Sequence, residues 1–443
     1  MGTRVPFSLV KSRWVNWAGN QWANPSSWEM AGSADDVERM VCHARSAGKR
    51  VKVVGSGHSF TGAAVADEVL LDITRLNGVG HVDVATGAVD VDAGVPISTL
   101  NVELAKQGRA LANLGDIAYQ TIAGAISTAT HGTGIGLTGI AGQLTSISFV
   151  DGTGRQRTVS KSDADTTMFR AMQVGVGALG VITSVRLQTV PSFTLHAVEE
   201  PAPVDSLLER LDDEVKGNDH FEFFWMPHTS LALTKRNNRT DEPPRPLGAA
   251  KHWFQRSFLE NTAFGAVCGL GKRAPVLIPR LAQVVAASGR LDYSDQSYRI
   301  FASPRRVKFV EMEYGIPREA CTAALNDIRK MIEVRNYRIS FPIEVRFTAA
   351  DDALLSTAHG RESAYIAVHM YKGMEFEPYF RSVAEIMAEY AGRPHWGKMH
   401  WLGCNDLEAL YPRWTDFLAV RKQLDPEGLF ENGYVRQVFG SNR

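Results

Sequence analysis

The chain has 443 residues, of which 44% are hydrophobic and 22% are charged, and its 48 Lys and Arg residues balance 48 Asp and Glu residues. A zero net charge argues against a nucleic-acid-binding protein, which normally carries a basic excess, and the composition argues against a disordered chain. The length allows two or three domains. Four cysteines without a CxxC pair exclude a disulfide framework, so we expect a cytoplasmic protein, with attachment to a membrane left open.

Residues 117–150 contain no Asp, Glu, Lys or Arg, which raises the question of a membrane span. The many Gly, Ser, Thr and Gln residues of this segment do not suit a helix in lipid, which needs about 20 predominantly apolar residues. We therefore expect no membrane span. The segment is interpreted as protein interior, where small residues let the backbone approach something large and flat.

The first 190 residues predict an α+β arrangement with many short strands. Ser33 and Asp36 form the pattern of a capping box ahead of a helix that ends near Gly48. Pro96 fits the first turn of a second helix, which ends near Gly108. Strands are predicted at 51–54, 69–73, 89–91 and 181–190, and a hairpin is predicted from 147–150 and 157–159.

After Pro191 the pattern changes to aromatic strands and amphipathic helices, so a domain boundary is expected near residue 190. Residues 235–246 are predicted as a polar loop, and the chain after about residue 395 is expected to return to the first domain. Strands are predicted at 219–225, 339–347 and 365–371, and helices at 281–288, 318–334 and 375–390.

A predicted strand leads into the turn Gly-Ser-Gly-His-Ser at residues 55–59. Such a turn presents backbone N–H groups that can hold a pyrophosphate. The dinucleotide-binding pattern G-x-G-x-x-G is incomplete, because Phe60 takes the position of the third Gly and too few residues follow for a crossover helix. His58 is either a loop residue bonded to a carbonyl or a nucleophile bonded covalently to a flavin, and the spacing does not decide between them.

Two further stretches are rich in small residues. Residues 120–134 mix Gly, Ala, Ser and Thr without a charge, and residues 175–180 lead into the strand at Val181. Small side chains permit close approach, and hydroxyls can bond the edge of a heterocycle. Either stretch alone also fits a tightly packed interior. Three such stretches in one half of the chain favour a large bound cofactor.

Glu344 and Arg346 stand two residues apart in a predicted strand and therefore point to the same side. They either pair with each other on the surface or, in a cleft, hold a polyol. A second cluster at 392–400 contains Lys398, which near a flavin would stabilise the anionic reduced ring. His395 and His400 in that cluster lack both the usual zinc spacing and a third ligand, so no metal site is expected.

Five motifs in chain order resemble those of the sugar-1,4-lactone oxidoreductases: VVGSGHSF, TATHGTG, GALGVIT, FPIEVRF and GRPHWGKMH. This family belongs to the vanillyl-alcohol-oxidase superfamily of flavoproteins and includes L-gulono-1,4-lactone and D-arabinono-1,4-lactone oxidoreductases, with alditol oxidases as more distant members. The resemblance extends over nearly the whole chain. It implies an FAD-binding domain of two α+β subdomains at 1–190, a cap domain with a large antiparallel sheet at 191–395, and a segment at 396–443 that completes the flavin site.

The resemblance also implies roles for individual residues. His58 stands where many members attach FAD through an 8α-histidyl bond, so covalently bound FAD is expected. Glu344 would orient substrate hydroxyls, Arg346 would stabilise negative charge on substrate or flavin, and Lys398 would support the reduced flavin or help to deprotonate the C2 hydroxyl. The implied flavin contacts are Gly55, Ser56, Gly57, His58, Ser59, Thr121, Gly124, Ser127, Thr128, His131, Gly132, Gly180, Val181 and His400.

The implied reaction is hydride transfer from C2 of an aldono-1,4-lactone, giving a 2-keto lactone that tautomerises to an ene-diol such as ascorbate. The alternative within the superfamily is oxidation of the primary alcohol of a polyol such as xylitol. A non-catalytic flavin-binding protein and a nicotinamide-dependent dehydrogenase are the alternatives from other classes. The sequence leaves open the electron acceptor (oxygen, cytochrome c or quinone), the preferred lactone stereoisomer and the oligomeric state.

Overall fold

The computed structural model describes residues 13–286 and 289–442. The first half of the chain contains a parallel three-stranded sheet and an antiparallel four-stranded sheet. In spatial order the parallel sheet has strands Ser27–Met30, Val69–Asp72 and Val51–Val54, and the antiparallel sheet has Ala88–Asp92, Val181–Gln188, Leu144–Val150 and Gln156–Ser160. Two short strand pairs join Trp14–Val15 to Trp22–Ala23 and Arg109–Ala110 to Val190–Pro191. The helices of this half are Ala34–Ser46, Ile97–Lys106, Ile122–Ser127 and Thr167–Gln173, with 3₁₀ turns at Gly62–Ala64 and Ile140–Gln143.

The first helix begins where the capping pattern predicts. The Ser33 hydroxyl accepts a hydrogen bond from the Asp36 backbone N–H at 3.1 Å, and the helix runs from Ala34 to Ser46. Its buried residues Val37, Val41 and Ala44 follow the helical period and face the core. Gly48 then adopts a φ of +64°, which ends the helix at low conformational cost.

The connection that follows the turn at 55–59 contains no crossover helix of the dinucleotide-binding type. The strands Val51–Val54 and Val69–Asp72 are parallel neighbours. Only the 3₁₀ turn Gly62–Ala64 lies between them. The prediction that this turn does not belong to a βαβ unit is therefore confirmed.

An eight-stranded antiparallel sheet dominates the second half. Its strands, in spatial order, are Leu291–Gln296, Thr194–Pro203, Leu231–Thr240, His220–Trp225, Ile343–Thr348, Ser363–Tyr371, Phe309–Pro317 and Arg393–Pro394. The helices of this half are Val204–Glu209, Leu211–Lys216, Ala249–His252, Phe264–Arg273, Ile278–Ala286, Ser297–Phe301, Cys321–Arg335 and Glu377–Glu389, with a π-helix at Trp253–Ala263 and 3₁₀ turns at Pro275–Leu277 and Arg318–Ala320.

Alternation along the strands gives this large sheet one apolar and one polar side. On the central strand, Ile343, Val345 and Phe347 join an apolar core with buried residues of the helices Cys321–Arg335 and Glu377–Glu389. Glu344 and Arg346, on the other side, are also buried. Because that side carries charged groups away from water, they need partners within the protein.

The prediction of a polar loop at 235–246 is wrong over its first part, because the strand Leu231–Thr240 continues through it. The polar residues here find partners across the sheet. Arg236 donates to Glu214 at 2.6 Å and to Glu200 at 2.9 Å, and Asn237 is buried. Ion pairs with distant parts of the chain therefore stabilise polar residues in a strand, although the local sequence is typical of a loop.

The end of the chain returns to the first half, as predicted. The helices Cys404–Leu410, Trp414–Leu424 and Gly433–Phe439 contribute Trp414, Phe417 and Phe439 to the same apolar core as Phe149. Buried Arg421 forms an ion pair with buried Glu431 at 2.8 Å and donates to the Gly440 carbonyl at 3.0 Å. Within residues 13–286 and 289–442, no helix has the length and apolar character needed to cross a bilayer.

Replacement of Glu431 by Gln is expected to lower the free energy of unfolding by roughly 3 kcal/mol, because the buried Arg421 charge loses its counter-ion. Asp90→Asn is the matched control. Asp90 pairs with Arg186 on the surface, and loss of such a pair costs less than about 1 kcal/mol. Urea unfolding of both variants measures the difference, and equal losses would contradict the assigned role of the buried pair.

Candidate active site

A cleft of about 900 Å³ opens in the first half of the molecule, beside the turn at 55–59. Its wall combines the turn with the helix Ile122–Ser127 and the Gly-rich residues before Val181. The predicted residues that line it are Gly55, Ser56, Gly57, His58, Ser59, Thr121, Gly124, Ser127, Thr128 and Gly180.

The turn at 55–59 offers its backbone donors to the cleft. Within the described part of the chain, none of these N–H groups donates to another protein group. Gly57 has a φ of +65°, a conformation that favours glycine. A Cβ atom on Gly55 would lie 2.3 Å from the Thr121 hydroxyl, so glycine is required where the turn passes the helix. The result is a concave row of donors suited to an anionic ligand.

His58 lies at the mouth of this row. Its ring lies roughly parallel to the rings of Trp17 and Tyr119, with centroids 6.0 Å and 6.1 Å away, and its Nδ1 bonds the Ser56 carbonyl at 3.1 Å. Burial lowers the pKa of the imidazole, although the bond to Ser56 opposes this. The ring is therefore neutral at neutral pH, which is the state in which a ring nitrogen is nucleophilic.

Two buried polar groups in the wall also suit a polar ligand. The Lys52 ammonium donates to the carbonyls of Gly177 and Phe430 at 2.9 Å and 3.0 Å. Burial lowers its pKa to about 7, so an anion in the cleft would favour its charged form. The Oε1 atom of Gln120 is buried and has no hydrogen-bond partner among the described residues.

Four of the predicted flavin contacts lie outside this lining. A Cβ on Gly132 would lie 2.2 Å from the Leu114 carbonyl, so this glycine serves close backbone packing. Val181 is buried and pairs with Val150 in the four-stranded sheet. Buried His400 bonds the Tyr434 hydroxyl at 2.7 Å, and burial lowers its pKa to about 4. His131 faces the large sheet, as described below.

A second cavity, of about 670 Å³, lies against the polar side of the large sheet. The three predicted catalytic residues, Glu344, Arg346 and Lys398, all line it. Asp116, Glu311, Glu313, His369 and Arg305 are further charged or titratable residues in its wall. The alternative that Glu344 and Arg346 form an ion pair on the surface is therefore wrong, because both side chains are buried and line this cavity.

Aromatic rings separate the two cavities. Trp17, which stacks on His58, also contacts Phe309 at 5.3 Å between centroids, and Phe60 stacks on Phe309 at 5.9 Å. Phe309 belongs to the wall of the second cavity. The Phe60 backbone N–H donates to the Gly397 carbonyl at 2.7 Å, next to Lys398. The two cavities are therefore neighbours across a thin partition.

Arg346 is surrounded by carboxylates. Its Nε lies 2.9 Å from Glu222, its Nη2 lies 3.3 Å from Asp116, and it forms a close ion pair with Glu344. Asp116 also pairs with Arg305 at 2.9 Å. Despite burial, the two guanidinium groups hold the pKa of Asp116 well below its usual range.

Glu344 has the opposite shift. Burial, with help from the nearby charges of Asp116 and Glu222, raises its pKa to about 7, even though Arg346 acts to lower it. A carboxyl group with a pKa near neutrality can exchange a proton with a bound ligand at physiological pH. Among the carboxylates around Arg346, Glu344 is the one suited to that role.

Lys398 belongs to a second group of charges. It forms a close ion pair with Glu311 and lies 3.9 Å from Glu313. Burial opposes its charge, but the two carboxylates prevail and raise the pKa of Lys398. Glu311 also lies 3.4 Å from the His369 Nε2, and its charge, with that of Glu344, raises the pKa of His369 against the effect of burial. Lys398 is therefore a fixed cation in this cavity.

His131 connects the two halves through Glu313. Its Nε2 lies 2.5 Å from Glu313, and its ring stacks on Tyr365 at 3.5 Å between centroids. His131, Glu313 and His395 bring ligand atoms within 4.8 Å of one another. The group differs from the His395 and His400 pair considered in the sequence. His395 Nδ1 accepts from the Gly397 N–H, so hydrogen bonds already engage these side chains.

Sequence reasoning missed Glu222, the partner of Arg346, and several titratable residues in the wall of this cavity, chiefly Glu311, Glu313 and His369. A usable signal existed for two of them: Glu311 and Glu313 alternate with apolar residues in VEMEY, the same pattern that identified Glu344 and Arg346. The strand register places Glu311 opposite His369, and Ala367 opposite both Glu313 and Glu344. The pattern predicts the face of each strand, but the pairing brings the charges together.

A family model described as D-arabinono-1,4-lactone oxidase matches residues 185–438, and an FAD binding domain model matches residues 28–160. The chain belongs to the D-arabinono-1,4-lactone oxidase family. It is 44% identical to L-gulono-1,4-lactone dehydrogenase of Mycobacterium tuberculosis, over 96% of this chain and 99% of the relative. It is 32% identical to L-gulonolactone oxidase of Bos taurus, over 96% and 98% of the two chains.

Solved structures show the same fold. Cholesterol oxidase from B. sterolicum superposes with a TM-score of 0.80 over 96% of each chain, at 18% sequence identity. The predicted α+β fold, an FAD-binding domain of the vanillyl-alcohol-oxidase type with a large antiparallel sheet in the cap, is thus confirmed. The protein is an FAD-dependent oxidoreductase, as predicted. The unpaired donors at 55–59, the buried Gln120 oxygen and the Lys52 ammonium fit a dinucleotide in the first cleft.

Proposed function

We propose that this chain oxidises an aldono-1,4-lactone, L-gulono-1,4-lactone or a close relative, at C2, and yields ascorbate or an analogue. The observation that carries the proposal is that Glu344, Arg346 and Lys398 line one cavity, which an aromatic partition separates from His58. FAD bound in the first cleft supplies the hydride acceptor. The names of the relatives at 44% and 32% identity support the lactone over an alditol.

The cavity is suited to a small molecule with many hydroxyl groups. Carboxylates accept hydrogen bonds from hydroxyls, and guanidinium groups donate to carbonyl and hydroxyl oxygens. Arg346 is fixed by Glu222 and Asp116, so it can present donors without a loss of side-chain freedom on binding. We infer that Arg346 binds the oxygen on which negative charge develops, where a fixed donor has its largest effect.

Proton movement is assigned to Glu344. Oxidation at C2 requires that the hydroxyl lose its proton, and the ionised form of Glu344 can accept it at neutral pH. Lys398 is held as a cation by Glu311, so it does not act as a base in this proposal. Of the two roles considered for Lys398, stabilisation of negative charge on the reduced flavin is the one that its environment supports.

His58 is proposed to carry FAD through a bond between an imidazole nitrogen and the 8α carbon of the flavin. Its neutral ring and its position at the first cleft support this assignment. We also propose that residues 1–190 form the FAD-binding domain, 191–395 the cap, and 396–443 the segment that completes the site. His131, Gly132, Val181 and His400 are retained as flavin contacts only in this proposal, since they lie outside the cleft lining.

The function is tested by adding aldonolactones and alditols to the holoenzyme under anaerobic conditions. L-gulono-1,4-lactone is expected to bleach the flavin absorbance, whereas xylitol is not. Reoxidation by oxygen, cytochrome c or a quinone then identifies the electron acceptor. Bleaching by xylitol alone would support alditol oxidation, and a flavin that no sugar derivative reduces would contradict both enzymatic proposals.

The role of Glu344 predicts a pH dependence. A carboxyl with a pKa of about 7 is protonated at lower pH and cannot accept a proton, so kcat/KM is expected to fall as the pH drops below about 7. Glu344→Gln should reduce kcat by about 10²–10⁴ and abolish this acid limb. Glu222→Gln removes a neighbouring negative charge and should move the limb to lower pH. An unchanged pH profile in Glu344→Gln would refute the assignment.

The planar fork of Arg346 is expected to be essential, because Lys cannot contact Glu222 and a substrate oxygen in the same geometry. Arg346→Lys should lower kcat by about 10²–10³, with normal flavin content. Arg305→Lys is the control, since Arg305 pairs with Asp116 at 2.9 Å and should show a much smaller loss. Steady-state kinetics measures kcat of both variants. Wild-type turnover in Arg346→Lys would contradict the proposed role of Arg346.

Covalent attachment is tested by denaturing the holoenzyme in SDS. The protein band is expected to fluoresce in the wild type and in His43→Ala, a control in the exposed surface of the first helix. The His58→Ala band should be dark, with free FAD in the supernatant. A colourless wild-type band with a yellow supernatant would show that FAD is bound without a covalent link.

A further inference from the structure

Lys52 and His58 are the two titratable side chains in the wall of the first cleft, among the residues that the structure describes. Lys52 belongs to the strand Val51–Val54, which leads into the turn at 55–59, and is 2% exposed. The His58 ring is neutral, because burial lowers its pKa. The diphosphate of FAD is an anion, and the backbone N–H groups of the turn offer it only partial charges. Lys52 is therefore the described residue of this wall that can supply a whole positive charge.

The hydrogen bonds of Lys52 match the neutral form of its side chain. The Nζ atom donates to the carbonyls of Gly177 and Phe430 at 2.9 Å and 3.0 Å. A neutral amine has two hydrogens, which these two carbonyls accept, whereas an ammonium has three. Protonation therefore creates a third N–H donor, for which the described part of the protein provides no acceptor. An oxygen of a ligand in the cleft can accept from it.

The charged groups that act on Lys52 come from the C-terminal segment, and they have other partners. Asp425 accepts from two backbone N–H groups of the turn that follows it, and Glu431 pairs with Arg421 at 2.8 Å. The two carboxylates favour the ammonium form, whereas burial and the Arg421 charge oppose it, and the pKa of Lys52 falls to about 7. Residues 175–180, on the Gly177 side, contain no charged side chain. The protein thus leaves Lys52 without a counter-ion of its own.

We propose that Lys52 is the counter-ion of bound FAD, and that capture of the cofactor takes up one proton at this side chain. The proton comes from solvent and converts the neutral amine to an ammonium, while no bond of FAD forms or breaks. The third N–H of the ammonium then donates to an oxygen of the cofactor. The proposal depends on FAD binding, but neither on the lactone substrate nor on covalent attachment to His58.

The same side chain connects three parts of the site. Gly177 lines the cleft, Phe430 belongs to the segment at 396–443, and the Val51 N–H donates to the Leu429 carbonyl at 2.9 Å. Hydrogen bonds from a charged donor are stronger than those from a neutral one. Protonation of Lys52 therefore strengthens its bonds to both carbonyls. Capture of FAD is expected to tighten the packing of the C-terminal segment against the first half of the molecule.

The experiment measures FAD binding to the full-length His58→Ala protein after its FAD has been removed. This parent protein binds FAD reversibly and lacks the other titratable side chain of the wall. Calorimetry in Hepes and in Tris, which differ in ionisation enthalpy, gives the number of protons taken up. About half a proton per FAD is expected at pH 7 and about one at pH 8, since the pKa of Lys52 before binding is about 7. The affinity should accordingly fall as the pH rises above 7, by up to about tenfold for each pH unit.

Three variants of the parent protein separate charge from packing. Lys52→Met keeps the length of the side chain, and is expected to bind FAD roughly ten- to a hundredfold more weakly at pH 6, without proton uptake. Lys52→Arg is charged at every pH of the experiment, and should bind FAD more tightly than Lys52→Met at pH 8, also without proton uptake. Lys49→Met is the matched control, because Lys49 is exposed. It should equal the parent in affinity and in proton uptake.

A parent protein that takes up no proton between pH 7 and pH 8 would overturn the proposal, and this measurement requires no change at Lys52. Uptake that persists in Lys52→Met would assign the proton to another group and would also refute it. A purely structural lysine predicts a lower melting temperature for Lys52→Met with unchanged FAD affinity. Failure of L-gulono-1,4-lactone to bleach the flavin would contradict the proposed function, but would leave these binding results unaffected.

Discussion

The burial of Arg346 among Glu222, Glu344 and Asp116 is the interaction on which the proposed chemistry depends. A guanidinium group away from water is tolerated only when carboxylates or other hydrogen-bond acceptors surround it. The carboxylates around Arg346 repel one another, so they do not all ionise equally easily. Asp116 lies beside the guanidinium groups of Arg346 and Arg305 and remains an anion, whereas the pKa of Glu344 is raised. The same arrangement therefore fixes a cation and creates a proton acceptor beside it.

The segment at 395–400 carries this electrostatic arrangement from the large sheet to the first half of the molecule. The backbone N–H groups of His395 and Met399 donate to the backbone carbonyls of Glu313 and Glu311, so the segment is bound to the strand Phe309–Pro317 of the large sheet. Trp396 is buried in the core of the first half, and Gly397 accepts from Phe60. Lys398 is thereby held between the carboxylates of Glu311 and Glu313 on one side and the end of the turn at 55–59 on the other. The orientation of the cation is determined by backbone bonds on both sides of it.

The sequence predicted those parts of the site that depend on local geometry. Glu344 and Arg346 share a side of one strand because alternate residues do so, and the turn at 55–59 shows its glycine pattern directly. The partners of these residues come from other strands, and their approach depends on register across the sheet, which a single sequence does not contain. The prediction of a loop at 235–240 is wrong for the same reason, because Arg236 contacts Glu214 and Glu200 only in the folded chain. Small residues such as Gly132 matched the family motif, yet the contact that requires glycine there is with the Leu114 carbonyl.

The helical segment at 249–286, between the strands Leu231–Thr240 and Leu291–Gln296, shows a related limit of prediction from sequence patterns. Phe254 and Phe258 are four residues apart, a spacing that in an α-helix is typical of a side facing the core. In the structure they lie in a π-helix at Trp253–Ala263 and face outward, while the charged Arg256 faces inward to Glu199. Arg256 is buried because it forms an ion pair with the Glu199 carboxylate. The apolar rings are exposed because no described part of the chain covers them. Amphipathic spacing therefore identifies two sides of a helix, but the partners available to each side decide which of them becomes the interior.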